Sequence, residues 1–161
     1  AVDSAGCGAL LKDYAHLLRH DRAYAAKAAR VSAATQDLAE ILAAEGRSLA
    51  PIAGRPRVAF QSPCTLQHGQ KLNGRVEALL SRAGFTLVPV ADPHLCCGSA
   101  GTYSVLQAGL SAQLKADKLA KLLAHSPDVI ATANVGCQLH LRKHAQLPVT
   151  HWIELLDTLE G

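Results

Sequence analysis

Apolar residues recur at helical spacing from Gly8 to about Arg19 (Leu10, Leu11, Tyr14, Leu17, Leu18) and again from Ala23 to Ala44 (Val31, Leu38, Ile41, Leu42), which predicts two helices broken near His20-Asp21. Residues 45–56 are rich in Gly, Pro, Ser and Arg and read as a surface connection, a hinge between two halves. Beyond the hinge the pattern changes. Four short apolar runs bounded by turn residues, Arg57–Phe60, Thr86–Val90, Asp128–Thr132 and Pro148–Thr150, predict strands. Between and after them lie four helical stretches: Cys64 to about Arg82 with a possible break at Gly74, a long amphipathic helix to about His125, a helix from Gly136-Cys137, and Trp152–Leu159. The long helix carries Leu106, Leu110, Leu114, Leu119, Leu122 and Leu123 as its expected apolar stripe. Alternation of strand and helix predicts an α/β fold, helix-rich, with a short, mostly parallel sheet covered by helices on both faces in a Rossmann-like layering.

Composition agrees with the helical weight. Of 161 residues, 29 are Ala and 25 Leu, and only 4% are aromatic. A net charge of +3, without a basic run or interleaved aromatics, describes a solvated surface and argues against nucleic acid as a partner. No run approaches the roughly 18 apolar residues of a membrane span, and the opening Ala-Val-Asp-Ser-Ala-Gly-Cys lacks a secretory layout. A cytoplasmic location is the expectation. The chain has no Met and opens abruptly before a glycine-cysteine step, which suits a missing upstream portion as well as a removed initiator.

The five cysteines change the picture most. Cys7, Cys64, Cys96, Cys97 and Cys137 form no Cys-x-x-Cys knuckle, but four of them follow three successive predicted strands. In a parallel sheet those loops share one edge, where ligands collect. Each also falls near a predicted helix start, where free N–H groups favour a thiolate. Thiolates so gathered would bind a metal, and the residues leave an iron–sulfur cluster and tetrahedral zinc both open. Gly98 and Gly101 supply the turn that two adjacent cysteines need to face one centre, and their backbone N–H groups approach it closely. The competing readings are buried small hydrophobes, or a vicinal Cys96–Cys97 disulfide, which is sterically awkward.

Three histidines have a spacing argument. His68 lies one turn after Cys64, His94 two residues before the cysteine pair, and His140 three after Cys137, where a second ligand on the same helix face would stand. Surface or supporting roles are the ordinary alternative for each. Gly98-Ser99-Ala100-Gly101 is neither a Gly-x-Ser-x-Gly nucleophile elbow nor a phosphate loop, and a Cys64–His68 nucleophile pair leaves three thiols unexplained.

The spacing Cys64, thirty-one residues, Cys96-Cys97, thirty-nine residues, Cys137 resembles the cysteine-rich CCG domain of heterodisulfide reductases, lactate-utilisation proteins and the iron–sulfur subunits of glycolate oxidases. The last group shares most motifs: SPCTLQHGQ (Ser62 to Gln70), HLCCGSAGTYSVLQ (His94 to Gln107), PDVIATANVGCQ (Pro127 to Gln138) and PVTHWIELLD (Pro148 to Asp157). The opening AGCGALLKDYAHLLRHD (Ala5 to Asp21) resembles the end of a preceding CCG unit. The resemblance implies that residues 1–56 are the helical tail of that unit plus a linker, and residues 57–161 a complete second unit. It implies Cys64, Cys96, Cys97 and Cys137 as ligands of a cluster, most readily 4Fe-4S, with Gly98, His68 and His94 around them and zinc as the alternative. Cys7 would be an orphan ligand of the upstream unit. The family motif ends in Cys-x-x-Cys, and His140 stands at its second position, which counts against a five-cysteine cluster. The implied role is electron relay beside flavin-containing subunits that oxidise glycolate to glyoxylate, possible membrane association coming only through that complex. Weaker readings are a zinc-stabilised docking domain and thiol–disulfide chemistry as in the heterodisulfide reductases.

Overall fold

The computed structural model describes residues 1–45 and 54–157, so most of the expected hinge and the end of the last expected helix lie outside the described residues. Three helices come first: α1 (Ala5–Leu17), α2 (Ala25–Ala34) and α3 (Leu38–Glu45). There follow β1 (Arg57–Gln61), a π-helical turn (Thr65–Gly69), α4 (Arg75–Arg82), β2 (Thr86–Leu87), α5 (Tyr103–Leu106) and α6 (Ala108–Leu123). The chain continues through β3 (Val129–Thr132), α7 (Val135–Arg142), β4 (Val149–His151) and α8 (Glu154–Asp157). The four strands are all parallel, in the order β2-β1-β3-β4. The fold is α/β, as the alternation of elements predicts.

Side chains of a strand leave alternate faces, and each face has its own core. Val58, Phe60, Val129 and Ala131 join Leu66, Val76, Leu80 and Trp152 on one side. Ala59, Ile130 and Val149 join Leu119, Leu122 and Leu141 on the other, together with Cys97 and Cys137. Chain order places β2 on one side of β1 and sends β3 and β4 to the opposite side, so the connections diverge between β1 and β3. A crevice opens outside the carboxyl ends of such a pair.

Several boundaries differ from the periodicity. The expected Ala23–Ala44 helix is two helices, because Asp37 starts a new one. Its Oδ1 accepts from the Ala39 amide at 3.0 Å, and its own amide donates to Glu40 Oε2 at 2.9 Å, a reciprocal cap. Asp37 also bridges Val2 in parallel. The expected Cys64–Arg82 helix is replaced by the π-helical turn, followed by Gly74 at φ +79° ahead of α4. Strand β2 stops at Leu87, well short of Val90. Val88 still donates to Val58 O at 2.9 Å, and Pro89 directs its N–H-less nitrogen to the open edge of the sheet, where proline is tolerated. The long helix breaks at Gln107 into α5 and α6.

The buried face of α6 follows the expected stripe only at Leu119 and Leu122. Leu106 and Leu110 are largely exposed, whereas Ser111, Lys115 and Lys118 are buried in line with Leu122. These four recur at intervals of four, three and four and therefore share a face. Among the described residues, no helix is long and apolar enough to cross a membrane.

Candidate functional site

The crevice between β1 and β3 holds a cleft of about 420 Å³ lined by all five cysteines, together with Gln61, Ser99, Asn134 and Gly136. Cys64 follows β1 and enters the π-helical turn, exposed to solvent. Cys137 is the third residue of α7, directly after β3, and is buried. Cys96 and Cys97 come from the loop after β2. They are not at a helix start, as the sequence suggests, because α5 begins only at Tyr103. Gly98, Ala100 and Gly101, at φ +87°, +33° and +58°, wind the intervening backbone into left-handed turns instead.

Gly98 is needed for space as well as conformation. A Cβ there would lie 2.5 Å from the Ser111 carbonyl oxygen. Its amide points to Cys96 Sγ at 3.4 Å, and its carbonyl accepts from the buried Ser111 hydroxyl at 2.8 Å. The loop is thereby fastened to α6 on one side and faces the thiols on the other.

Cys97 and Cys137 Sγ are 3.1 Å apart. Their shared hydrogen bond, donated by Cys97 and accepted by Cys137, is the main reason that the Cys97 thiol is pushed up to about 12 while that of Cys137 is lowered. Asn134 Nδ2, 3.4 Å from Cys137 Sγ, adds to the same preference. The Cys96 thiol rises through its hydrogen bond with Cys97 and through burial, and that of Cys64 through burial and the neighbouring Cys96 charge. The thiols interact from Cys64 through Cys96 and Cys97 to Cys137, and Cys64, Cys96 and Cys97 resist ionising beside their neighbours. A cation in the cleft relieves that repulsion.

Cys7 reaches this cleft through the N-terminal segment. Ala5 N donates to Ala133 O at 2.9 Å, just past β3, and the Gly6 amide and Ser4 hydroxyl both donate to Asn134 Oδ1, at 3.1 and 2.8 Å. Cys7 therefore sits in the first turn of α1, exposed on the cleft wall.

The donor set selects soft metals: thiolates suit iron–sulfur clusters and zinc. Among the described residues no three His, Cys, Asp or Glu side chains converge as on a single ion. The 3.1 Å between Cys97 and Cys137 is also shorter than the roughly 3.8 Å edge of a tetrahedron with 2.3 Å zinc–sulfur arms. Either a cluster or a lone ion would need these two sulfurs to move apart.

Comparison with known proteins agrees with this donor set. The family model described as CCG, cysteine-rich domain, matches residues 58–142. The chain belongs to the CCG family. It is 48% identical over 154 residues to the glycolate oxidase iron–sulfur subunit of Escherichia coli, covering 96% of this chain and 38% of that protein. It is 30% and 31% identical to the lactate utilization protein A of Geobacillus thermodenitrificans and of Geobacillus kaustophilus, covering 96% of this chain and 67% of each. The chain thus spans well under half of the first relative and about two thirds of the other two.

The CCG cysteines are brought together; the histidines singled out with them are not. His68 and His94 are exposed. His140 turns to Ser111, its Nε2 3.3 Å from Oγ, on the side of the Gly98 loop away from the cleft lining. Burial and the charge of Lys115 lower its pKa.

Other residues that shape the CCG cleft have no counterpart among the expected ones. Asn134 ties the N-terminal segment to Cys137, and its place just before a helix carrying cysteine is a signal present in the sequence. Gln61 accepts from Thr132 Oγ1 at 2.6 Å beneath the cleft. Gln67 Nε2 donates to Ser62 O at 2.8 Å and Pro93 O at 3.0 Å, joining the two loops that carry Cys64 and Cys96. Lys118 Nζ also donates to Pro93 O at 3.0 Å. Nothing in the periodicity of α6 marks Lys118 as buried.

Proposed function

We propose that this chain is an electron-transfer module of a glycolate oxidase complex in which Cys64, Cys96, Cys97 and Cys137 hold an iron–sulfur cluster, of 4Fe-4S type. The observation that carries the reading is the gathering of four thiols from three strand-end loops in one cleft, in a chain similar over nearly its whole length to a glycolate oxidase iron–sulfur subunit. A bound cluster supplies reversible one-electron exchange. The chain's own residues do the rest. Gly98 lets the loop approach, its amide and Asn134 Nδ2 direct hydrogen-bond donors at sulfur, and Gln67 fixes the two loops relative to each other. Donors of this kind set cluster potential.

In this reading Cys7 belongs to the end of a preceding CCG unit and stands outside the ligand set, and residues from 57 onward form the second unit. The partners are flavin-containing subunits that oxidise glycolate, in the cytoplasm or at the inner face of the membrane. The test is anaerobic loading with ferrous iron and sulfide, followed by iron, sulfide and zinc analysis and a visible spectrum. The expected result is iron with labile sulfide and a broad absorbance that bleaches with dithionite. Stoichiometric zinc without colour would replace it with a structural, docking role.

A further inference from the structure

Lys118 is an ammonium buried within the protein, only 1% exposed, and burial of a charge is costly without an opposite one. Among the described residues the two ion pairs are Lys12–Glu40 and Lys121–Asp92, and neither includes Lys118. Asp92, the carboxylate that feels its charge, is exposed and held by Lys121. The hydrogen bond from Nζ to Pro93 O satisfies one of three N–H groups and none of the charge. Burial lowers the Lys118 pKa, and negative charge on Cys97, Cys137 and Cys96 raises it, so these cysteines as metal-bound thiolates would offset its burial. Lys118 lies on the stripe of α6 that also places Ser111 against Gly98, so one helix face both fastens the cysteine loop and carries a positive charge beneath it.

We propose that Lys118 is the counter-charge of the assembled metal site, setting its reduction potential and not merely anchoring the loop. The inference rests on the metal-binding reading above. A four-thiolate site remains net negative around either an iron–sulfur core or zinc, and reduction adds further negative charge. A fixed cation nearby favours the reduced state and raises the potential.

The test uses the whole chain loaded anaerobically with ferrous iron and sulfide and titrated potentiometrically through its visible absorbance. Lys118→Met, which keeps the apolar stem, is expected to shift the potential negative by about 59 mV, a tenfold weaker one-electron reduction. Lys118→Arg restores it, and Lys121→Met on the surface leaves it near the parent value. Gln67→Ala removes the other donor to Pro93 without changing charge and separates anchoring from electrostatics. Equal potentials in Lys118→Met and the parent chain, or equal shifts in Lys118→Met and Gln67→Ala, would overturn the proposal. If Lys118→Met fails to fold by circular dichroism, Lys118→Gln takes its place with the same expected shift. If the parent chain takes up no iron–sulfur cluster, that reading fails by itself and Lys118 is read with zinc. Chelator competition is then expected to show about tenfold weaker zinc binding in Lys118→Met, and unchanged binding would refute the counter-charge.

Discussion

Residues 2–45 and residues 129–157 share an order of parts, except that α2 has no counterpart in the second region. In the first region Val2 pairs in parallel with Asp37, α1 opens with Ala5-Gly6-Cys7, and α3 follows the pairing residue. In the second β3 pairs in parallel with β4, α7 opens with Val135-Gly136-Cys137, and α8 follows. Even the two glycines before cysteine meet the same side chain: a Cβ on Gly6 or on Gly136 would contact Asn134, at 3.1 or 3.3 Å. The outcomes differ. Cys137 is buried and hydrogen-bonded to Cys97 and Asn134, whereas Cys7 is exposed. A glycine-cysteine step at a helix start thus does not by itself bury a thiol: Cys137 is enclosed beside Cys97, and Cys7 stays on the cleft wall.

The largest break of this comparison is by substitution of the two cysteines. Cys137→Ser is expected to abolish stoichiometric metal and to lower the urea midpoint of the loaded chain, because metal binding contributes to folding. Cys7→Ser is expected to leave metal content unchanged. Equal losses would make the two regions equivalent and the division between them wrong.

Next in size is the loop itself. Gly98→Ala adds an overpacking cost of about 1–3 kcal/mol to left-handed strain of about 1–2 kcal/mol, since its Cβ meets the Ser111 carbonyl. Gly101→Ala, with open space around it, carries only the strain, about 1–2 kcal/mol. Urea denaturation of the metal-free variants separates the two, and metal content is expected to fall only in Gly98→Ala.

Asn134→Ala tests the link between the regions. It removes the acceptor of Ser4 and Gly6 and the donor to Cys137, at a cost of about 1–3 kcal/mol for partly buried hydrogen bonds. Proteolysis near residue 5 is expected to accelerate with it. Asn134→Asp keeps the acceptor and loses the donor, so it is expected to protect the N-terminal segment while weakening the thiolate of Cys137.

The smallest effect lies away from the cleft, on α4. Burial raises the pKa of Glu77, and its Oε2 is buried without a hydrogen-bond partner. A carboxyl with a raised folded pKa binds more protons folded than unfolded, so stability falls as pH rises from the unfolded value of 4.5 through the folded one. Glu77→Gln is expected to shrink the loss of thermal stability between about pH 5 and pH 8, a difference that melting curves of both chains would reveal.

How much of this was readable in the chain depends on the range of the forces involved. Strands at Val58–Phe60 and Val129–Thr132 were legible because each is a short apolar run with turn residues around it, and the placing of Cys64 and Cys137 at one sheet edge followed from those strands. The Asp37–Glu40 cap was present in the sequence but hidden inside a continuous apolar period. Lys118 was not legible, because the leucines of α6 suggest one stripe and packing against the cysteine loop selects another. The arrival of Cys7 at the cleft depends on hydrogen bonds between residues 4–6 and 133–134, which no local pattern announces.

The central claim is that Cys64, Cys96, Cys97 and Cys137 act together on one metal group. Cysteine-resolved alkylation, read by mass spectrometry on the iron- and sulfide-loaded chain before and after chelation, tests it most directly. These four thiols are expected to be protected together and released together while Cys7 stays reactive throughout. Alkylation of any one of the four in the loaded chain at the rate of Cys7 would contradict it.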